Sequence, residues 1–566
     1  MEQNIFIGIP DSPVTYWLPT QILSMFSEGT TLEHFSDQRQ GLATGDDGQF
    51  LRCWHEVGTG LINWNPDGFP SDSMPWYQFL KGGSFRKWYG NNEHCIKFNR
   101  RSFDALSKQG NALPSRQYYL SESLVWSDIT SASFGARYNT AGKVFATGAL
   151  SAFPKNKADT FYVLGYLNCA VHNLVMSALS SGIHYSVGYV DKSPLIHKSS
   201  IIEPIERISK TAVDLGREDW DAYETSWDFT SLPLLKPDYH QPTLKATYQK
   251  LRAHWREMTL EMQRLEQENN RIFIEAYGLN DELDENVDLS EITLTCNPHY
   301  RYGNDKSEEE LEALLLADTM RELVSYAVGC MFGRYALNKP GLILANQGET
   351  IEDYLKRSPE PNFPADDDNV IPMLDGDWFT DDIAERFRKF LRVAFGDEHY
   401  EDNLRFVEQG LNIKGKRNYG IRDYFLGEFY TDHVKRYKKR PIYWLFSSPK
   451  GSFNALIYMH RYRPDTVSVV LNDYLREFRT KLTSHKNHLE AVSISASSSQ
   501  GEKTKALKEI EKITKMIAEL EEYEREVLYP LATEQVEIDL DDGVKVNYPK
   551  LGAALKKIVG LEAKED

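Results

Sequence analysis

Two short segments of this 566-residue chain carry residue types that could perform group transfer on a nucleobase. In the first, Glu291-Ile292-Thr293-Leu294-Thr295-Cys296 runs as a β-like segment into Asn297-Pro298-His299-Tyr300. An Asn-Pro-Pro-Tyr turn can hold a flipped adenine, because its amide and a backbone carbonyl accept from the N6 amino group and its ring stacks on the base. Here His299 replaces the second proline of that rigid turn. The segment is therefore read as a strand ending in a turn, and no catalytic residue is assigned. In the second, Glu56-Val57-Gly58-Thr59-Gly60 has the acidic-x-Gly-x-Gly spacing of a cofactor turn. The residues after it, Leu61-Ile62-Asn63-Trp64-Asn65-Pro66-Asp67-Gly68, are turn-rich rather than helix-forming. No cofactor is assigned to this chain.

Other chemistries find less support. Lys81-Gly82-Gly83-Ser84 lacks the spacing of a nucleotide-binding Walker loop. His433, His460 and His485 stand alone, without metal-ligand spacing. Asp366-Asp367-Asp368 lacks the calcium-loop pattern, and no Gly-x-Ser-x-Gly elbow occurs. Cys53, Cys95, Cys169, Cys296 and Cys330 are far apart, so neither a zinc site nor a redox pair is indicated. Such sparse cysteine use fits a reducing cytoplasm, which is the expected location.

What remains is chemistry suited to reading nucleic acid. Arg39, Gln40 and Thr44 lie in a loop flanked by Gly41 and Gly45. Arginine suits bidentate contact with guanine, glutamine with adenine, and glycine permits close backbone approach. After Lys81, the run Phe85-Arg86-Lys87-Trp88-Tyr89-Gly90-Asn91 interleaves cations with aromatics, a composition that suits nucleic acid. Arg137-Tyr138 follows a glycine in a similar setting. The expected DNA-contacting set is thus Arg39, Gln40, Gly41, Thr44, Lys81, Arg86, Lys87, Arg137 and Tyr138. The alternatives are structural: Arg39 as an ion-pairing residue in a packed loop, and 85–91 as a half-buried strand with a solvated cationic edge.

The net charge of −18 argues against a DNA binder only on average, because phosphate contact depends on where the cations sit. Between Lys81 and Lys143 there are ten Lys and Arg but only four acids, Glu93, Asp104, Glu122 and Asp128. A second basic block runs from Lys414 to Arg440. Acidic residues concentrate elsewhere, around 281–291, 308–312 and 366–368.

The elements that must position these residues change character along the chain. Residues 1–200 read as short β-like runs, such as 143–147 and 185–190, between Gly, Pro, Asn and Asp clusters. One apolar helix over 160–179 interrupts them. It contains Asn168, His172 and Asn173, which are costly in lipid, so it is expected in a protein core and no membrane contact is expected. Leu244, Tyr248, Leu251, Trp255, Met258, Met262 and Leu265 recur at three- and four-residue spacing. They predict a long amphipathic helix over 243–276, closed by Gly278. Ser307 and Glu310 have capping-box spacing ahead of another helix reaching Gly329. Residues 357–370, rich in Pro and Asp, read as an exposed linker or loop. Two helical patterns over 466–492 and 502–528 flank the polar break 493–501 and predict an antiparallel hairpin, with Leu507, Ile510, Ile513, Ile517 and Leu520 mostly on one face. The expected class is α+β: a β-rich recognition domain over 1–240, a helical connector over 241–356, and a helical C-terminal domain with a hairpin over 371–566.

The order of several short blocks is more specific than any one of them. Ser36-Asp37-Gln38-Arg39-Gln40-Gly41-Leu42-Ala43-Thr44-Gly45-Asp46 leads to Phe50-Leu51-Arg52 and Trp54-His55-Glu56-Val57. Ser133-Phe134-Gly135-Ala136-Arg137-Tyr138, Gly142-Lys143-Val144-Phe145 and Gly148 follow. Later come Asp219-Trp220-Asp221-Ala222-Tyr223, Asn269-Asn270-Arg271-Ile272-Phe273 and Gly333-Arg334-Tyr335-Ala336-Leu337. This order resembles the PglX/BrxX family, the adenine-specific DNA methyltransferases of BREX phage-defence systems, from the target-recognition domain onward. The resemblance implies a site-specific adenine N6 methylation role in host marking and phage defence, with double-stranded DNA as partner. It also implies a catalytic half, separate or lost, that binds S-adenosylmethionine, because Met1 stands only a few residues before the recognition blocks. Other BREX proteins are further expected partners. The alternatives are a stand-alone DNA-binding specificity subunit and an assembly scaffold of a restriction or defence complex. The apolar segment containing Phe6, Ile7, Ile9, Tyr16, Trp17 and Leu18 is expected to be bare where the catalytic half would join.

Overall fold

A computed structural model describes residues 19–108, 113–180 and 183–561, so the N-terminal segment with Phe6 to Leu18 lies outside the described residues. The chain forms two compact units. The first is built on Gly60–Phe229 and Gln249–Leu315 together with the residues up to Trp54. The second comprises His55–Thr59, Thr230–Tyr248 and the residues from Leu316 onward.

Unit 1 contains two sheets. The strands are β1 (Ser36–Arg39), β2 (Leu51–Cys53), β3 (Ile62–Asn63), β4 (Trp76–Leu80), β5 (His94–Lys97), β6 (Ser123–Ser127), β7 (Ala136–Asn139), β8 (Val144–Phe145) and β9 (Ala149–Pro154). One sheet is antiparallel in the order β1-β9-β6-β7; the other runs β2-β5-β4-β3, with β8 paired in parallel to β4. Strands this short are held by their side chains rather than by ladder length. Tyr77, Phe98, Tyr119, Phe145 and Phe153 are buried in one aromatic core with Leu42, Phe50 and Val125, and their rings meet at 5.3–6.4 Å.

Among the helices of unit 1 are α1 (Arg100–Ser107), α2 (Thr160–Leu167), α3 (Ala170–Leu179) and α4 (Ser199–Trp220). The helix expected over 160–179 is therefore two helices, bent by 73°. Tertiary hydrogen bonds are made at the break. Asn168 uses its amide to accept from Ala136 N–H at 2.8 Å and to donate to Ala136 C=O at 3.0 Å. Asn173 accepts from Phe134 N–H at 3.0 Å. Two of the polar residues that argued against a membrane span, Asn168 and Asn173, thus tie these helices to β7 and to the residues just before it. No single helix among the described residues is long and apolar enough to cross a membrane. Gly165 lets α4 approach α2 closely, since a Cβ there would lie 2.4 Å from Ile205 and 2.8 Å from Ser209 Oγ. Residues 185–190, expected as a strand, instead enter a short helix, Val187–Asp191.

Two long helices follow in the chain. Helix α5 (Leu244–Tyr277) matches its apolar periodicity, and Gly278 closes it at φ +67° with Leu279 N–H bonded to Ile274 C=O. Helix α6 (Glu308–Met331) begins with the expected capping box: Ser307 N–H donates to Glu310 and Glu310 N–H to Ser307 Oγ. In unit 2, β10 (Val370–Pro372), β12 (Asn454–Tyr458) and β11 (Tyr443–Ser447) form an antiparallel sheet in that spatial order.

The hairpin is α7 (Arg476–Ile494) against α8 (Gln500–Tyr523). Its buried residues on α8 include Ala506, Ile513 and Leu520, at seven-residue spacing, whereas Leu507, expected on that face, is exposed. Residues 357–370, expected as an exposed linker or loop, form a loop that is exposed only in part. Phe363, Ala365, Asp366 and Asn369 are buried, and the Arg461 guanidinium donates to the carbonyls of Asp366 and Asp367 at 2.7 and 3.0 Å. Backbone carbonyls that would otherwise need water are satisfied by one buried cation.

Candidate nucleic-acid interface

The loop after β1 is the most accessible part of the expected site. Arg39, at the end of β1, pairs with Asp37 at 3.2 Å, and its guanidinium lies 5.2 Å above the Tyr118 ring. It remains 38% exposed, so its reach is guided but not blocked. Gln40 is exposed, and its carbonyl accepts from Ser115 Oγ at 2.9 Å. That bond sets Arg116, also exposed, in the turn next to Gln40. Gly41 is required for packing: a Cβ there would lie 1.9 Å from the Phe145 carbonyl oxygen. The backbone runs past β8 at this point, with Leu42 N–H donating to Phe145 C=O.

Thr44 and Lys81 converge on one carboxylate. Thr44 Oγ1 donates to Asp47 at 2.5 Å, and Lys81 Nζ lies 2.5 Å from its other oxygen. Burial would raise the Asp47 carboxyl, but the bonds from Lys81 and Thr44 outweigh it and hold it below its ordinary value. Thr44 is buried, while Lys81 is exposed. Tyr138 is half-buried and stacks on Phe161 at 5.1 Å.

Three expected DNA contacts sit elsewhere. Arg86, Lys87 and Arg137 are only 3, 6 and 4% exposed, so the expectation that they line a DNA face is revised. Arg86 pairs with Asp219 at 2.5 Å, donates to Thr295 Oγ1 and Tyr89 C=O at 2.9 Å each, and lies over the Trp220 ring. Lys87 is ion-paired to Glu266, which also accepts from Trp88 Nε1. Arg137 donates to the Arg86 carbonyl at 3.3 Å, and burial pushes its guanidinium down to about 10. Asp219 is the centre of this arrangement, accepting also from the backbone N–H groups of Thr295 and Cys296 at 2.7 and 2.8 Å. Buried cations of this kind require partners, because an unpaired charge in a protein interior is costly.

The same geometry accounts for Asn297-Pro298-His299-Tyr300. Asn297 is buried; its Nδ2 donates to Leu289 and Ile292 carbonyls at 2.7 and 2.9 Å, and its Oδ1 caps the following short helix at His299 N–H. Tyr300 donates to the Phe85 carbonyl at 2.5 Å. Both groups a flipped base would need are engaged within the protein. The Glu56–Gly60 segment does not fit a cofactor turn either. Glu56 accepts from Val544 N–H at 3.0 Å, and Thr59 N–H donates to Ala345 C=O at 3.0 Å. No cluster of His, Cys, Asp or Glu among the described residues could hold a metal ion.

Sequence reasoning counted Arg100, Arg101 and Lys108 in the basic island without placing them at the site. They are the exposed side of α1, which buries Leu106, and they line an open groove with Asp72 and Asp104. Asn99 caps this helix at Ser102 N–H, and Asp72 accepts from Arg100 N–H. The Asn99 cap followed by a 3.6-residue pattern was the available signal.

No family model matches the chain. It is 32% identical over 571 residues to the adenine-specific methyltransferase BrxX of Escherichia coli O9:H4 (strain HS), covering 99% of this chain and 46% of that protein. It is 31% identical over 580 residues to the adenine-specific methyltransferase PglX of Lacticaseibacillus casei (strain Zhang), with the same two coverages. The chain thus spans about half the length of the curated relatives it matches. With alignments at 31–32% identity that span 99% of its length, the chain belongs to the PglX/BrxX family.

Proposed function

We propose that this chain is the DNA-recognition part of a BREX-type adenine-specific methyltransferase, serving host marking and phage defence. The observation that carries the proposal is the likeness, over 99% of the chain, to two proteins named as adenine-specific methyltransferases. The engaged Asn297 and Tyr300 support the further point that methyl transfer, with its S-adenosylmethionine, belongs to a catalytic half outside these residues. Exposed cations on unit 1, namely Lys81, Arg100, Arg101, Lys108 and Arg116, together with the half-buried Arg39, support a duplex as the ligand of this unit. In this reading Arg39 and Gln40 read base edges, Gly41 allows the backbone to pass β8 closely, and Lys81 meets phosphate. Thr44 holds Asp47 in place, and Tyr138 backs the loop.

Binding of a labelled duplex by fluorescence anisotropy across a salt series tests the proposal. Loss of one bidentate base contact in Arg39→Ala should cost roughly 1–3 kcal/mol. Loss of a phosphate contact in Lys81→Ala should reduce the salt slope by about one unit. If both variants bind like the parent at every salt concentration, the assigned face is wrong. Coexpression with a PglX-type catalytic half, followed by a methylation-sensitive digest, tests the division of labour. DNA that stays unmethylated while the two chains remain separate would favour a stand-alone specificity module.

A further inference from the structure

Unit 2 contains a cleft of about 840 Å³ that the DNA-reading proposal does not use. One wall is α8, which presents Lys512, Ile513 and Met516. The opposite wall is the π-helical turn Phe425–Phe429 and the helix that follows it, Tyr430–Arg436. Leu445 of β11 and Asn454 of β12 lie between them. A volume of this size is in the range of specific ligand sites, about 300–1,000 Å³.

The lining has an unusual charge for this chain. Six lysines, Lys439, Lys450, Lys512, Lys515, Lys556 and Lys557, face three carboxylates, Asp375, Glu509 and Glu519. All six lysines are exposed, on a protein whose net charge is −18. Glu519 is already committed, since it accepts from Lys450 N–H at 2.7 Å and Ser452 Oγ at 2.5 Å at the tip of the β11–β12 hairpin. Asp375 and Glu509 lie 3.7 and 3.8 Å from Lys512, and Lys515 pairs with Glu511 on the surface. Between these lysines the lining mixes apolar side chains with polar ones such as Thr431, Ser452 and Asn454. Leu426 is 38% and Val559 72% exposed, and Met373, Leu482 and Ile513 are buried beneath.

We propose that this cleft docks an acidic amphipathic peptide segment of a partner protein, with carboxylates on the lysine rim and apolar side chains between Leu426 and Met516. Charge complementarity selects the acidic partner, and methionine suits a surface that adapts to apolar side chains. A phosphate ligand fits less well. The hairpin-tip donors that would cradle it are taken by Glu519, and among the described residues no arginine lines the cleft to offer a planar fork. A nucleic-acid track would not need a concave apolar floor.

The probe is a fluorescein-labelled helix-forming peptide with glutamates on one face and leucine and phenylalanine on the other, titrated into the whole chain. A duplex DNA and a sequence-shuffled peptide of the same composition run in parallel. Saturable binding is expected for the amphipathic peptide. It should weaken about tenfold or more in the Lys450→Glu/Lys512→Glu/Lys515→Glu variant and separately in Leu426→Glu, and be unchanged in Arg39→Ala. The substituted positions are exposed, so parental circular-dichroism melts are expected for both variants. The proposal is overturned by any of three results: no saturable peptide binding, peptide binding that both variants retain, or duplex binding that the lysine variant loses while the peptide fails to bind.

Discussion

The buried Arg86–Asp219 pair separates a stability role from a DNA-binding role in one experiment. Asp219 holds three distant segments: Arg86, the α4 terminus on which it sits, and the Thr295–Cys296 turn. Arg86→Ala removes the 2.5 Å ion pair, the bond to Thr295 Oγ1 and the contact with the Trp220 ring. It leaves Asp219 buried without its cation, held by Thr295 and Cys296. Breaking a buried pair by deleting one partner costs about 3–5 kcal/mol. A lost cation–π contact adds about 1 kcal/mol. The exposed Arg39–Asp37 pair should by contrast contribute at most about 1 kcal/mol. Urea unfolding followed by tryptophan fluorescence should therefore give a large drop in stability for Arg86→Ala and almost none for Arg39→Ala. The folded fraction of Arg86→Ala should keep the parental salt slope for duplex binding. Asp219→Asn should destabilise similarly, and the double variant by less than the sum of the two, because both remove one interaction. If Arg86→Ala unfolds with the parent yet loses about tenfold in DNA affinity and one unit of salt slope, Arg86 meets phosphate and the buried-clasp argument fails.

Three further outcomes are expected. Calorimetric titration of S-adenosylmethionine into this chain should show no saturable binding, because the Glu56–Gly60 backbone and Asn297 are engaged internally; one-to-one micromolar binding would reveal a misread site. The stability contributed by His172 and His460 should fall as pH drops below about 6.5, while the Asp191 and Asp221 carboxyls, which burial raises to about 6, act in the opposite sense. Burial pushes His172 down to about 3, and burial with the charge of Arg334 does the same to His460. The unfolded chain then binds the extra proton, at about 1.4 kcal/mol per pH unit for each histidine. His172 lies edge-on to Phe134 and Tyr166, so His172→Phe should keep the packing and flatten the slope by that amount; an unchanged slope in acid unfolding contradicts the assignment. Gly165→Val should destabilise by several kcal/mol, since even its Cβ would lie 2.4 Å from Ile205; a parental unfolding midpoint would show that α2 and α4 can separate freely.

Local pattern alone determined much of this protein. The apolar spacing from Leu244 to Leu265, the Ser307–Glu310 capping box and the hairpin around its polar break are short-range signals, and each element formed where its own residues specify it. Block order likewise carried the family, because relatedness is written along the chain. Burial of charge was not legible in the same way. Arg86 and Lys87 looked like a cationic edge beside aromatic residues, yet their partners Asp219 and Glu266 stand 133 and 179 residues away. Part of the linker-like 357–370 is interior, where Arg461 bonds the carbonyls of Asp366 and Asp367, and the apolar 160–179 helix breaks where Asn168 bonds β7. A side chain's type sets what it can bind. Only the tertiary structure decided whether solvent, DNA or a distant carboxylate reaches it first, since that depends on contacts far apart in sequence.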